Sequence, residues 1–180
     1  EVLKALRILN DPDGIGIGAR HLTVSTSGVI PDIRKFADIP EQFTLAVSLH
    51  SAIQSTRNKL MPGVKKYTLL RLHEALQLYT EKTGRRPTYE YAMIEGVNDT
   101  NPEMQALCDF CEGTLCHVNL IQLNDIEGSP LKPSPIHKVE DLQRRLESRG
   151  IETTIRNSRG NDIDAACGQL KQRFKVQKNA

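Results

Sequence analysis

The sequence predicts an α/β chain whose strands form a parallel sheet joined by helical crossovers, the later part of a larger (β/α) barrel that lacks its first strands. Three observations lead there. Segments of strand character alternate with segments of helical periodicity along the chain, an order that demands crossover connections. Runs such as Leu45-Ala46-Val47 are near-continuously apolar, as strands covered on both faces are. Five strands are too few to close an eight-stranded barrel, and the opening helix has no capping residue before it, so at least one preceding strand is expected upstream.

Taken in order, Glu1 to Asn10 sets Val2, Leu3, Leu6 and Leu9 on one helical stripe with Ala5 beside them. Asn10-Asp11-Pro12-Asp13-Gly14 stops that helix with strong turn residues. Gly14, Gly16 and Gly18 then follow a helix and lead into a strand. A dinucleotide loop needs the reverse order, with a helix amino terminus after the glycines to hold the pyrophosphate, so these glycines read as a flexible connection. His21 to Ser25 is a short alternating strand ending in Ser25-Thr26-Ser27-Gly28, and Val29 to Ala37 is a short helix entered through Pro31. A second strand, Phe43 to Ser48, runs into Ser48-Leu49-His50. The longest helix starts at Thr68, a good N-cap, and passes through Leu69, Leu72, Leu76 and Tyr79 to a stop at Gly84. The third strand, Thr88 to Ile94, gives way to Glu95-Gly96-Val97-Asn98-Asp99 and a helix from Asn101 to Cys111. Cys116 to Leu123 is the fourth strand, Lys138 to Arg149 a helix closed by Gly150, and Ile151 to Arg156 the fifth strand.

With 180 residues, 38% hydrophobic and 26% charged, the chain has the make-up of one soluble globular domain. No apolar run is long enough to cross a bilayer, and Glu1-Val2-Leu3-Lys4 carries no signal-peptide pattern. The expected compartment is therefore the cytoplasm, where the four cysteines would be reduced thiols. A net charge of +2 says little about nucleic acid, but from Ile151 onward six Lys/Arg face three acids. That end would attract a phosphate backbone.

In parallel sheets with helical crossovers, sites lie at the carboxyl ends of the strands. Those ends carry Ser25, Thr26 and Ser27, then Ser48 and His50, then Glu95, then Asn119 and Asn124, and finally Arg156. Beyond the last strand, Cys167 follows a polar loop with Arg156, Arg159, Asp162 and Asp164 and precedes Gly168, a setting that can stabilise and expose a thiolate. The same residues also fit a short helix capped by Asp162, with Ala165, Ala166, Cys167 and Leu170 as its apolar face. The Cys108-x-x-Cys111-x-x-x-x-Cys116 spacing suggests half of a metal site. However, Met104, Leu107, Cys108 and Cys111 fall on one apolar helical face, which favours burial. His50 is placed to hydrogen-bond a ligand, whereas His21, His73 and His137 are expected to be surface or loop histidines without partners.

Asp162-Ile163-Asp164-Ala165-Ala166-Cys167-Gly168-Gln169-Leu170, Leu22-Thr23-Val24-Ser25-Thr26-Ser27-Gly28, Ser48-Leu49-His50 and Val118-Asn119-Leu120-Ile121 resemble the carboxyl-terminal half of a radical S-adenosylmethionine RNA methyltransferase. The family is the one that methylates carbon 2 of an adenosine in 23S ribosomal RNA and, in some members, in transfer RNA. A related branch methylates carbon 8 and shares the Cys167 motif; Thr26-Ser27-Gly28 and Arg159-Gly160 look more like the carbon 2 branch.

The resemblance implies a partial radical S-adenosylmethionine barrel in which Ser25, Ser48, Leu49, His50 and Asn119 contact S-adenosylmethionine. It implies that Cys167 takes a methyl group from one S-adenosylmethionine before transfer to the adenine, with release by a disulfide to a second cysteine. It also implies a four-iron four-sulfur cluster, an external reductant and a monomeric enzyme. The cluster's Cys-x-x-x-Cys-x-x-Cys motif, a Gly-Glu-Pro motif and the second cysteine are expected upstream of Glu1, so the chain alone should neither hold the cluster nor turn over. Two other readings stay open: a non-catalytic RNA-binding piece using the basic end, and an α/β enzyme with Cys167 as an ordinary nucleophile.

Overall fold

The computed structural model of the chain describes residues 1–123 and 130–156; Asn124, the Cys167 segment and most of the basic end lie outside the described residues. Eleven α-helices and strands follow in the order α1 (Val2–Asn10), β1 (Thr23–Thr26), α2 (Ile30–Ala37), β2 (Thr44–Ser48), α3 (Gln54–Leu60), α4 (Leu69–Thr83), β3 (Thr88–Met93), α5 (Asn101–Cys111), β4 (His117–Gln122), α6 (Ile136–Glu147) and β5 (Glu152–Arg156). The strands form one sheet in sequential order β1-β2-β3-β4-β5, and every neighbouring pair is parallel.

Sequential order matters for where the helices go. Right-handed crossovers between successive neighbours all land on the same side of the sheet, as in a barrel wall; a doubly wound sheet needs a reversal of strand order. The core confirms the one-sided arrangement. Leu45 and Val47 of β2, Tyr89, Tyr91 and Met93 of β3, and Val118 and Leu120 of β4 join one apolar cluster with Ile33, Leu72, Leu76, Leu107 and Leu142 from the helices. The intervening strand residues, Ser48, Glu90, Asn119 and Thr154 among them, lie on the opposite face. Burial on both faces, expected from Leu45-Ala46-Val47, holds for those three residues of β2 but does not extend to β3, which alternates strictly between half-buried and buried residues, because the described helices cover one face only.

Local signals set most element ends. Thr68 caps α4 by accepting the Arg71 N–H at 3.3 Å, and Gly84 closes it with φ +63, a left-handed conformation that glycine adopts without a Cβ penalty. Helix α3 carries no apolar periodicity and was not expected. Its Gln54 side chain accepts the Leu69 N–H at 2.6 Å, tying it to the start of α4, and its buried residue is Arg57. The first strand begins at Thr23, not His21, which sits in a 3-10 turn spanning Ala19–His21. Helix α6 begins two residues before the expected Lys138 and ends at Glu147.

Candidate cofactor-binding face

The face of the sheet that none of the described helices covers carries a row of polar side chains. Register pairs Ser48 with Glu90, Glu90 with Asn119, and Asn119 with Thr154, so these four stand side by side across β2 to β5. Asn119 donates from Nδ2 to Glu90 Oε2 at 2.9 Å, and Thr154 Oγ1 donates to Asn119 Oδ1 at 3.2 Å. Asn119 is the third residue of β4 and belongs to the floor of the face; the expected strand-end position is corrected. Ser25 lies on the same face one row lower, through its pairing with Ala46, and is exposed.

At the carboxyl end of β2 the chain turns sharply. His50 has φ +55, the positive value unusual for a side-chain-bearing residue. Three hydrogen bonds hold it there: its N–H donates to Glu90 O at 3.3 Å, its Nδ1 accepts the Ala92 N–H at 3.0 Å, and its carbonyl accepts from Asn98 Nδ2 at 2.6 Å. With Nδ1 used as an acceptor, the neutral ring carries its proton on Nε2. Burial, aided by the positive charge of Arg57, pushes the His50 pKa down to about 4, so the imidazole is a neutral N–H donor at physiological pH. Leu49 is fully buried in the core cluster; its side chain cannot meet anything on the open face and its N–H donates to Glu90 O at 3.0 Å, so a ligand could meet only its backbone carbonyl.

Two residues absent from the sequence-derived set organise this corner. Asn98, fully buried, donates to the carbonyls of His50 and Ala92 at 2.6 and 2.7 Å and accepts the Ile94 N–H at 2.7 Å. It thereby fastens the end of β2 to the end of β3. Arg57, 1% exposed, donates from Nη2 to Ser27 O at 2.8 Å and more weakly to Ser48 O at 3.5 Å, tying together the turns after β1 and β2. Asn98 lay in an expected turn whose composition hid its partners, one of which, His50, lies 48 residues upstream. Beside it, burial raises the Asp99 pKa, but hydrogen bonds from Ser134, Lys138 and the Gly96 N–H outweigh it, and the net shift is downward.

The other candidates separate from this face. Cys108, Cys111 and Cys116 are free and buried; Cys108 and Cys111 belong to the core on the helical side of the sheet, as their helical spacing suggested. Among the described residues no group of three His, Cys, Asp or Glu could hold a metal ion, so a metal cluster does not fit them. His73 is corrected from an unpartnered histidine: its ring meets Phe110 edge-on at 5.0 Å between centroids. His21 and His137 are exposed. Glu95 hydrogen-bonds through its backbone to Lys132 O at 2.9 Å, in the turn beyond β3. None of the described helices is long and apolar enough to cross a membrane.

What remains is a face offering hydroxyl, amide and imidazole groups around the Glu90 carboxylate, chemistry suited to orienting a polar small molecule. No family model matches the chain. It is 44% identical over 173 residues to a probable dual-specificity RNA methyltransferase RlmN of Alkaliphilus oremlandii, covering 96% of this chain and 50% of that protein. A protein of the same description from Geobacillus kaustophilus is 48% identical over 170 residues, covering 94% and 47%. The chain thus spans about half the length of the curated relatives it matches. Among solved structures, a radical SAM methyltransferase from Sphaerobacter thermophilus superposes with a TM-score of 0.89 at 42% identity, over 93% of this chain and 49% of the other. A domain of pyruvate-formate lyase-activating enzyme from Bacteroides vulgatus, at 12% identity and TM-score 0.57 over 75% of this chain and 80% of its own, shares the fold. By sequence along nearly its whole length and by its sheet, the chain is thus similar to about half the length of RNA methyltransferases named RlmN and of a solved radical SAM methyltransferase.

Proposed function

We propose that the chain, residues 1–180, is the carboxyl-terminal part of a radical S-adenosylmethionine methyltransferase core that methylates carbon 2 of adenosine in 23S ribosomal RNA and transfer RNA. The observation that carries this reading is the polar row on the face that none of the described helices covers, in a chain whose relatives are named as RNA methyltransferases. Ser25, Ser48, the His50 Nε2–H and Asn119 bind S-adenosylmethionine on that face, and Leu49 contributes through its backbone. S-adenosylmethionine and a four-iron four-sulfur cluster, when bound, supply the methyl group and the one-electron chemistry. Cys167, as a thiolate, would attack the sulfonium methyl, its new C–S bond forming as the methyl–sulfonium bond breaks and S-adenosylhomocysteine leaves. It would hold the carbon as a thioether for the adenine, the C–S bond then breaking as a second cysteine attacks the Cys167 sulfur and a disulfide forms. The cluster ligands are assigned to the upstream half, since the described cysteines lie buried on the other side of the sheet. The working enzyme is a cytoplasmic monomer supplied with electrons by an external reductant.

The experiment is the mass of the peptide containing Cys167. One sample comes from cells making the chain joined to the upstream half of a relative such as that of Geobacillus kaustophilus, the other from cells making these 180 residues alone. A methyl or methylene on Cys167 in the joined protein only is the expected result. An unmodified Cys167 in both, with iron bound and the protein folded, would overturn the methyl-carrier role. Release of 2-methyladenosine from RNA digests, rather than 8-methyladenosine, checks the carbon assigned.

A further inference from the structure

The polar row contains one acid with no role assigned above. Glu90 stands between Ser48 and Asn119, and only its pairing to Asn119 is accounted for. We infer that Glu90 is a specificity residue of the cofactor site, its carboxylate accepting the two vicinal ribose hydroxyls of the nucleoside cofactor. This rests on the proposal that S-adenosylmethionine occupies the face.

The hydrogen-bond inventory argues for a donor-bearing ligand. An ionised carboxylate has roughly four acceptor positions, whereas the described residues supply Glu90 with a single side-chain donor, Asn119 Nδ2. Asn119 is in turn held by Thr154, so its amide orientation is fixed, and it engages one of the two Glu90 oxygens. Burial accordingly raises the Glu90 pKa despite the opposing influence of Asn119 and Arg156. Outside hydrogen-bond donors would relieve that cost.

Space and charge narrow the ligand group. The same-face neighbours two residues from Ser48 are Ala46 and His50, and those from Glu90 are Thr88 and Ala92; of these, Ala46 and Ala92 carry only methyl groups. Arg156, paired with Ile121 on the same side of the sheet, is close enough to act on Glu90 electrostatically. It repels a cation, which disfavours an ammonium or sulfonium as the partner, but leaves neutral hydroxyls unaffected. Two adjacent hydroxyls match the two oxygens of one carboxylate, the pairing by which acidic residues read ribose in other nucleotide sites.

Binding is measured by titration calorimetry on the chain joined to a relative's upstream half, with S-adenosylmethionine and its 2′-deoxy and 3′-deoxy analogues. Wild type should bind each deoxy analogue about tenfold more weakly, the scale of one charge-assisted hydrogen bond. Glu90→Ala should weaken S-adenosylmethionine by about tenfold or more and abolish the discrimination between it and the analogues. Glu90→Gln, which keeps the size and an acceptor for Asn119, should show the same trend at reduced size. An unchanged preference for the hydroxylated ligand in both variants overturns the inference, even if overall affinity falls. Loss of the folded circular dichroism signal in both variants also overturns it, by making Glu90 a structural residue. Wild type that binds no S-adenosylmethionine refutes the functional proposal itself, a result distinct from either.

Discussion

Replacing Asn98 by alanine should be among the most damaging single changes available at the candidate site. The side chain is fully buried and makes three hydrogen bonds, two to the carbonyls of His50 and Ala92 and one from the Ile94 N–H. Each is worth about 1 kcal/mol net, and a buried backbone group left without a partner adds about 1–3 kcal/mol. The expected loss is about 3–5 kcal/mol, a large share of the roughly 5–15 kcal/mol that holds a domain together. Urea unfolding followed by circular dichroism would register this as a drop of about 2 M in the midpoint, taking a slope of about 2 kcal/mol per M. Asn98→Asp provides the internal control. It retains an acceptor for Ile94 but turns negative oxygens toward two carbonyls, so it should cost at least as much as alanine. A midpoint shift below about 0.5 M for alanine, or an aspartate variant as stable as wild type, would refute the assignment of Asn98 as the clamp that sets the His50 turn.

Two further perturbations test the same corner. Because the folded His50 pKa lies at about 4 and the unfolded value at 6.5, the unfolded state binds the extra proton first. Stability should therefore be complete above pH 6.5, fall as the pH drops toward 4 by at most about 3 kcal/mol, and level off below; His50→Gln should flatten that part of the urea-midpoint profile, and an unaltered slope would remove His50 as its source. Gly28 has φ +94, and a Cβ there would sit 2.8 Å from Arg57 Nη2, an atom tethered to Ser27 O. Gly28→Ala should lower stability by about 1–3 kcal/mol in thermal melts, whereas an unchanged melting temperature would show that the turn after β1 relaxes freely.

Much of the scaffold was readable one residue at a time. Thr68 and Gly84 bracket α4 because their chemistry is local: a hydroxyl that caps and a residue free to adopt positive φ. The five strands emerged for the same reason, each a short stretch of β-favouring residues between turn signals. Helix α3 escaped because its amphipathic logic is inverted: the residue it buries is Arg57, an arginine held by carbonyls from two other segments. The two-sided burial inferred from Leu45-Ala46-Val47 holds in β2 but did not reveal that the neighbouring strand β3 alternates, with Glu90 and Ala92 only half-buried. Ser25, Ser48, His50 and Asn119 do share one end or face of the sheet, yet Leu49 proved to point into the core.

The sequence by itself determined the alternation of strands and helices, the turn chemistry that ends them, and, through its Ser-Leu-His and Cys167 segments, the family to which the chain is related. Those signals lie within a few residues of one another, where propensity, capping and motif spacing act. Only the tertiary structure decided which side of the sheet is open and which polar residues stand together there. That follows from register: with a side-chain period of two, a shift of one residue between neighbouring strands sends Glu90 or Asn119 to the opposite face. Register is fixed by packing the helices against Tyr89, Tyr91, Val118 and Leu120, contacts between segments far apart in the chain. The row from Ser48 through Glu90 to Thr154 is the polar remainder of that packing, and no single stretch of sequence contains it.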